Sequence, residues 1–200
     1  MWHIFNKHGF QVALADNEPC ADDLAERGEF ALACEPPEAG QLRADPQTKA
    51  VIIIPPAPST WHEWDSTAWV IGTEQAAAKL AHEQEAVWEA IKNQRHNNLR
   101  GGVFVPSVKK WFHTDDASRQ QYTFMRTLPA LPEDMQWKTM DNSFVVMTKL
   151  LLDELSLKML ADEQAAFLAA ERHRSAMLAA ANPLNYDYSS GWTATYGEAV

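Results

Sequence analysis

The chain has 200 residues, of which 46% are hydrophobic and 22% are charged, and its formal net charge is −10. This length suffices for one or two domains with a buried core, and the composition excludes a wholly disordered chain. The acidic balance predicts no nucleic-acid partner, and no apolar run is longer than six residues, far fewer than the roughly 20 that membrane insertion requires.

The composition changes near residue 72. Residues 1–72 carry 4 basic and 11 acidic side chains, and seven of the 11 prolines lie before residue 60. We therefore predict an α+β fold in three segments. These are a small β-rich N-terminal module over 1–72 with a Pro/Trp-rich end, a long connecting helix over 73–99, and a C-terminal α+β domain over 100–200 that contains β-hairpins, a long helix and an aromatic tail.

The N-terminal module is predicted to consist of short strands and turns. Alternating apolar residues over 2–14 indicate a hairpin, with His3 and His8 exposed beside its turn. A short helix over 21–28 ends at a glycine, and alternation resumes over 30–34.

The end of this module combines a strand with prolines and tryptophans. Residues 51–54 are predicted to form a buried strand, and Pro55, Pro56 and Pro58 then impose an extended chain. A second hairpin is expected over 61–71, around the turn Asp65-Ser66-Thr67.

A helix that begins at Thr73 and continues to about Leu99 carries a heptad pattern. The positions spaced by three and four residues are Ala77, Leu80, Gln84, Val87, Ile91, Gln94 and Asn98. Because three of these seven are polar, two interpretations stay open. One is an amphipathic helix packed on its own domain, and the other is a parallel trimeric or dimeric coiled coil.

Beyond residue 100 the pattern alternates between hairpins and helices. Strands are predicted over 103–108 and 109–114, a short helix over 115–128, and a hairpin over 137–147. Thr148 is the expected N-cap of a second long helix that reaches about Ala181. The aromatic segment that follows is expected to pack on its own domain or on a partner, or to offer stacking surfaces to a sugar.

Ordered blocks between residues 86 and 182 resemble a known domain. The blocks are IKNQR (91–95), GGV (101–103), WFHTDDASR (111–119), WKTMDNSFV (137–145) and AAFLAAE (165–171). They resemble DUF4376, a domain of unknown function carried by tail and tail-fibre-region proteins of tailed bacteriophages. The proline-rich approach to the tryptophan hairpin is similar to tail-fibre-associated and tail-fibre assembly proteins. The resemblance implies a role in the phage tail and carries over no catalytic residue.

The residues themselves predict neither an enzyme nor a cofactor. The nucleophile, phosphate-binding and metalloprotease motifs are missing from the sequence. His113 with Asp115 and Asp116 is the best candidate for a metal or acid–base cluster, but a helix start capped by Asp116 or Ser118 explains it more simply. His173, between two arginines, is expected to be solvated. Cys20 and Cys34 are expected to be small buried thiols.

The aromatic residues are the best candidates for protein–protein contacts. Eight tryptophans exceed what one small core needs, and Trp and Tyr bury large areas at interfaces while keeping a polar group. With the two apolar positions of the first long helix, the candidate interface residues are Trp61, Trp64, Trp69, Val87, Ile91, Trp111, Trp137, Tyr188 and Trp192.

Three functions are compatible with these observations. The first is a structural component of a bacteriophage tail, at the baseplate or at the fibre attachment, that binds other tail or fibre proteins as a homo-oligomer, with a trimer favoured. The second is a tail-fibre assembly chaperone, and the third is a receptor-binding tip that recognises cell-surface glycan. The start of the chain lacks the features of a signal peptide, so we expect synthesis in the host cytoplasm and a place in the virion tail.

Overall fold

The computed structural model describes residues 1–65 and 67–199 and divides into two compact units, Met1–Ala76 and Ala77–Val200. We call them the N-terminal unit and the C-terminal unit. Strands dominate the first, and hairpins and long helices the second, so the predicted α+β class is confirmed. Ser66, in the turn of the predicted tryptophan hairpin, and Val200, in the predicted aromatic tail, lie outside the described residues.

The N-terminal unit is built from short antiparallel strands. Its elements are β1 (Trp2–Asn6), β2 (Gln11–Ala15), α1 (Ala21–Glu26), β3 (Glu29–Ala33), β4 (Gln41–Ala44), β5 (Val51–Ile54), β6 (Glu63–Trp64) and β7 (Trp69–Val70). Strand β1 lies between β2 and β3, while β4 pairs with β5 and β6 pairs with β7. Phe5, Leu42 and Ala44 form a small core.

Three features of this unit differ from the predictions. Strand β4 follows a Pro- and Gly-containing segment and was not predicted. Strand β5 is mostly exposed rather than buried: among the described residues it pairs with β4 alone, and Val51, Ile52 and Ile53 are exposed while Ile54 is buried. His3 is buried rather than exposed, because β1 has a neighbouring strand on each side and His3 shares a face with Phe5.

The C-terminal unit places two hairpins and a short helix between two long helices. The elements that follow β7 are α2 (Thr73–Asn98), β8 (Val103–Val105), β9 (Lys110–Phe112), α3 (Asp116–Thr127), β10 (Gln136–Lys138), β11 (Phe144–Val146), α4 (Lys149–Leu178), a 3-10 helix (Pro183–Asn185) and α5 (Tyr196–Ala199). The first turn of α2 precedes the division between the units at Ala76. Strand β8 pairs with β9, and β10 pairs with β11.

Side-chain caps begin both α3 and α4. The Thr148 hydroxyl accepts a hydrogen bond from the Leu151 backbone N–H at 3.1 Å, which confirms the predicted cap of α4. At α3 the cap is Asp115, not Asp116 or Ser118, and its carboxylate accepts from both the backbone N–H and the hydroxyl of Ser118. These bonds hold the pKa of Asp115 below its usual range.

The main core of the C-terminal unit lies where the hairpins and α3 meet α4. Its buried members are Val103, Val105, Phe112, Tyr122, Met125, Met147, Leu151, Leu152 and Leu155. They come from both hairpins, from α3 and from α4. This core therefore joins most of the elements between α2 and the aromatic segment.

Both cysteines are free thiols, but the predicted burial is wrong for Cys20. Cys20 is exposed because it occupies the N-cap position of α1, while Cys34 is half-buried beside the small core. Burial raises the pKa of the Cys34 thiol. Within the described ranges, the structure contains no helix with the length and apolar character needed to cross a membrane.

Candidate interaction surfaces

The tryptophan hairpin of the N-terminal unit forms as predicted. Trp64 and Trp69 are a cross-strand pair whose ring centroids lie 5.5 Å apart, edge to face. The indole N–H of Trp69 donates to the Pro55 carbonyl at 2.9 Å, so the proline-rich segment contacts the hairpin. Trp61, Trp64 and Trp69 are all half-buried, which leaves part of each ring accessible on one small structure.

An aspartate stabilises the turn of this hairpin. The Asp65 carboxylate accepts hydrogen bonds from the backbone N–H groups of Thr67 and Ala68 and from the Thr67 hydroxyl, each at 2.8 Å. These bonds lower the pKa of Asp65, with the Ala68 and Thr67 backbone donors as the largest causes. A charged acceptor of this kind stabilises a tight turn in which the flanking residues would otherwise leave N–H groups unpaired.

A second cluster joins α2, α4 and the segment after α4, and we call it the C-terminal aromatic cluster. Its buried members are Val87, Ile91, Ala170 and Met177, and the half-buried rings against them are Trp88, Tyr186, Tyr188 and Trp192. Val87 and Ile91 are therefore buried within a single chain, at 7% and 0% exposure. This placement favours the first interpretation of α2, an amphipathic helix packed on its own domain.

His173 binds the segment after α4, contrary to the prediction that it is solvated. Its two ring nitrogens lie 2.8 Å from the Tyr186 hydroxyl and 2.9 Å from the Ser190 carbonyl oxygen. Its ring also stacks on Trp192, with centroids 5.2 Å apart. The indole N–H of Trp192 in turn donates to the Tyr188 carbonyl. Tyr188 and Trp192 are thus engaged within the chain rather than projecting from it.

Asn98 at the end of α2 makes a second connection to the aromatic segment. Its side-chain N–H donates to the Thr193 carbonyl at 2.7 Å, and its side-chain oxygen accepts from the Thr193 hydroxyl at 2.6 Å. The Tyr196 backbone N–H donates to the Gly101 carbonyl. Asn98 is buried, so this polar position of the heptad pattern is satisfied inside the chain.

The remaining predicted tryptophans lie in the two hairpins of the C-terminal unit. The Trp111 ring is 5.7 Å from Phe104 and 6.2 Å from Tyr196. Trp137 packs against the main core, with its ring 5.1 Å from Tyr122. Burial raises the pKa of Tyr122 well above its ordinary value, so the phenol stays neutral and donates to the His113 carbonyl.

Asp115 and Asp116, the acidic residues of the candidate chemical cluster, have structural partners, and so does Asp141. Asp116 pairs with Arg100 at 2.6 Å, and Asp115 caps α3. Asp141, at the turn between β10 and β11, accepts from Lys110 and from the hydroxyls of Thr139 and Ser143, which strongly lowers its pKa. Over the described ranges, no group of three or more His, Cys, Asp and Glu side chains is placed to hold a metal ion.

Exposed apolar surfaces are the features that sequence reasoning missed. Phe10, Val12 and Leu14 are exposed at and before β2, as are the first three residues of β5. Helix α4 exposes a further set along the side that faces away from the main core, with Leu150 at 81%, Leu157 at 68% and Leu168 at 65%. Contiguous apolar patches of this kind are typical of interaction surfaces, whereas single exposed apolar side chains are ordinary.

These observations define a two-unit α+β chain in which most of the predicted aromatic residues pack within the chain. Much of the exposed apolar surface lies on edge strands and on α4. The family model described as "Domain of unknown function (DUF4376)" matches residues 82–190, more than half of the chain, and the chain belongs to this family. The match begins within α2 and ends in the aromatic segment, so it includes the whole main core. No curated protein and no solved structure matches the chain.

Proposed function

We propose that the chain is a structural component of a bacteriophage tail, at the baseplate or the fibre attachment, that acts by binding other tail or fibre proteins. Two resemblances support this: the DUF4376 blocks and the Pro/Trp hairpin both resemble tail proteins. The proposal places the protein in the virion tail after synthesis in the host cytoplasm. It assigns no catalysis and no cofactor to the chain.

The observation that carries the proposal is the exposed apolar edge of the N-terminal unit. Val51, Ile52 and Ile53 of β5 are 40%, 44% and 54% exposed, on a strand paired on one side only among the described residues. Proteins normally protect such edges with charges, prolines or a covering element. An unprotected row of β-branched residues instead suits a partner strand that adds to the sheet. The N-terminal unit therefore supplies the contact with the tail partner.

A double substitution in β5 tests this contact in the phage that encodes the chain. Ile52→Lys with Ile53→Lys places two charges on the exposed edge, so we expect the protein to fold and to be lost from purified tails. The matched control is Gln47→Lys, which adds a charge at an exposed turn position next to β5. Deletion of residues 1–72 is expected to have the same effect as the double substitution. Retention of either altered chain in tails would contradict the proposal.

A tail-fibre assembly chaperone is the second candidate, and the same unit favours it. An acidic module with exposed apolar strands suits transient binding of an unfinished fibre. Mass spectrometry of purified virions distinguishes the two functions, because a structural subunit stays in the particle and a chaperone leaves it. Detection in stoichiometric amounts supports the structural proposal. Absence from virions, with presence in infected cells, supports the chaperone.

The glycan-binding tip has weaker support, because its two candidate rings are engaged. Tyr188 and Trp192 are half-buried in the C-terminal aromatic cluster, and Trp192 stacks on His173. Binding on a glycan array that is lost in Tyr188→Ala or Trp192→Ala variants would revive this function. No binding to host envelope material would exclude it.

We propose that the chain functions as a homo-oligomer. The trimer expected from the heptad pattern of α2 stays a prediction. The two apolar positions that would have joined three helices, Val87 and Ile91, are buried within one chain. A variant with aspartate at these positions would therefore unfold the C-terminal unit rather than separate copies. Contacts between copies need another surface.

A further inference from the structure

The N-terminal unit contains a cavity of about 410 Å³ that is bounded by residues of β1, β2, β4 and β5, and we call it the His3 cavity. Leu14, Leu42 and Ile54 form apolar parts of its wall, and His3 and Arg43 also line it. Small-molecule sites in proteins have volumes of roughly 300–1,000 Å³. The cavity therefore has room for a small ligand or for the end of a polypeptide chain.

His3 is a buried polar residue of this cavity that has no hydrogen-bond partner. The residue is 1% exposed, and neither of its ring nitrogens makes a hydrogen bond within the described part of the chain. Buried polar groups in proteins are paired in the great majority of cases, so an unpaired one calls for an explanation. The torsion about which an imidazole ring turns is broad, so the ring adjusts at little cost to a group bound in the cavity.

Arg43 supplies the charge of the cavity. Its guanidinium lies over the Phe10 ring, 4.6 Å from the ring centroid, and it makes no ion pair with a described carboxylate. Among the described residues, the cavity lining includes no aspartate or glutamate, although residues 1–72 carry 11 acidic side chains. A guanidinium matches the geometry of a carboxylate and binds it with two parallel hydrogen bonds. The charge of the lining therefore favours an anionic ligand.

The segment between β3 and β4 forms a wall of the cavity whose backbone is constrained. Pro36 and Pro37 lie in this wall and have fixed φ angles. Gly40 lies in it too, with a φ of +95°, and a Cβ there would lie 2.2 Å from the Ile54 carbonyl oxygen. The close passage of this segment beside β5 thus requires glycine. A wall that is formed before binding reduces the ordering cost of taking up a ligand.

We propose that the His3 cavity binds a carboxylate at the end of a short apolar chain. The carboxylate accepts hydrogen bonds from Arg43 and His3, and the apolar chain packs against Leu14, Leu42 and Ile54. Two sources carry this group, namely a free organic acid and the C-terminus of a polypeptide that ends in an apolar residue. The inference goes beyond the tail proposal and does not depend on it, because it rests on residues other than the exposed positions of β5.

The first test is a titration of the ¹⁵N-labelled full chain with millimolar hexanoate at neutral pH, followed by NMR. We expect saturable shift changes at residues 3, 10–14, 40–43 and 54 and none in α4. Hexanol, which has the same chain length without the charge, should bind roughly 10- to 100-fold more weakly, and hexylamine should not bind. Equal affinities for hexanoate and hexanol would overturn the proposal.

A tripeptide distinguishes the two sources of the carboxylate. Glycyl-valyl-leucine with a free carboxylate should bind, and the same peptide with a C-terminal amide should lose roughly the same 10- to 100-fold as hexanol. Tighter binding of the free peptide than of hexanoate would assign the cavity to a polypeptide C-terminus. Tighter binding of hexanoate would assign it to a free organic acid. Absence of saturable shifts with both acids would overturn the proposal.

Substitution of Arg43 tests the charge of the site. Arg43 is only half-buried, so Arg43→Gln should leave the unit folded. It should lower the affinity for hexanoate roughly 10- to 100-fold and leave the affinity for hexanol unchanged. The matched control is Arg27→Gln, because Arg27 belongs to the same unit but pairs with Glu29 and does not line the cavity. Unchanged hexanoate affinity in folded Arg43→Gln would overturn the proposal.

His3→Leu separates a binding role of His3 from a purely structural one. The change replaces an unpaired buried polar ring with an apolar side chain, so we expect the urea midpoint of the N-terminal unit to rise. The affinity for hexanoate should fall about tenfold or more relative to that for hexanol. His8→Leu, at an exposed position, is the control. An unchanged ratio of the two affinities in folded His3→Leu would overturn the assignment of His3 to the site.

Discussion

The two units use their apolar residues in opposite ways. The N-terminal unit has a core of Phe5, Leu42 and Ala44 and leaves much of β2 and β5 exposed. The C-terminal unit buries a core from two hairpins and two helices, and it adds the C-terminal aromatic cluster. Because burial of apolar area is the main favourable term in folding, we expect the C-terminal unit to be much the more stable.

The difference indicates a division of labour between the units. A small core beside exposed strands is typical of a part whose final stability comes from a partner, since binding to the folded form adds to its stability. A large core provides a stable support that does not depend on that partner. The following substitutions test this contrast, beginning with the largest expected effect.

Phe5→Ala should remove most of the stability of the N-terminal unit. Phe5 is fully buried and stacks on Phe30 at 5.6 Å, and truncation of a buried phenylalanine costs about 3–5 kcal/mol. Hydrogen exchange followed by mass spectrometry should show loss of protection over residues 1–70 and unchanged protection in α4. The control is Phe10→Ala, at an exposed position, where the change should be below about 1 kcal/mol. Loss of protection in both units would contradict their separate stability.

Leu152→Ala should destabilise the C-terminal unit by about 2–5 kcal/mol without unfolding it at neutral pH. Leu152 of α4 is fully buried in the main core, so its truncation leaves a cavity there. Urea denaturation monitored by the α-helical circular dichroism signal measures the shift. Leu184→Ala, at a residue that is 56% exposed, is the control and should change the midpoint little. Complete unfolding of the C-terminal unit by Leu152→Ala would mean that this unit is no more stable than the N-terminal unit.

Asn98→Ala should release the aromatic segment from the end of α2. It leaves the Thr193 hydroxyl and carbonyl without their partner, which costs about 1–3 kcal/mol. Limited proteolysis should cut within residues 182–199 faster in this variant than in the unmodified chain. The neighbouring Asn97 is exposed, so Asn97→Ala is the control. Equal cutting rates in both variants would show that the Asn98 contact contributes nothing to holding the segment.

The smallest expected effect is the contribution of Asp141 to the pH dependence of the C-terminal unit. Hydrogen bonds from Lys110, Thr139 and Ser143 lower the pKa of Asp141 in the folded chain. The unfolded chain therefore binds a proton first as the pH falls, and the stability from Asp141 is present above about pH 4 and lost below it. We expect the urea midpoint of this unit to fall between about pH 5 and about pH 3, and to fall less in Asp141→Asn. An identical fall of the urea midpoint in the unmodified chain and in Asp141→Asn would show that other carboxylates cause the pH dependence.

Much of the secondary structure could be predicted because it depends on local signals. The helix over 73–98, the Thr148 cap and the hairpin of Trp64 and Trp69 each follow from capping, periodicity and turn residues nearby in sequence. Strand β5 was predicted as a strand for the same reason. Its exposure was not, because a run of Val and Ile indicates a strand but not whether a neighbour covers it.

The candidate site was harder to predict because it depends on contacts between distant residues. The spacing of Val87 and Ile91 fits a helix that packs within its own chain and also fits a coiled coil. The pattern alone therefore does not distinguish these two arrangements. His173 lies between two arginines, and only its contacts with Tyr186 and Ser190 show that it is engaged. The exposed leucines of α4, Leu150, Leu157 and Leu168, could not be told from buried ones because the helix is apolar on two faces and shows no single apolar side.

The pairing of α2 with the aromatic segment also sets an order for folding during synthesis. Val87 and Ile91 leave the ribosome about 100 residues before Tyr188 and Trp192, at synthesis rates of about 5–20 residues per second. For several seconds the nascent chain therefore displays apolar positions on α2 that its own later residues will cover. A chain interrupted before residue 186 would keep the cover from Ala170 and Met177 but lack the rings of the aromatic segment, so we expect it to be cut by cellular proteases faster than the complete chain.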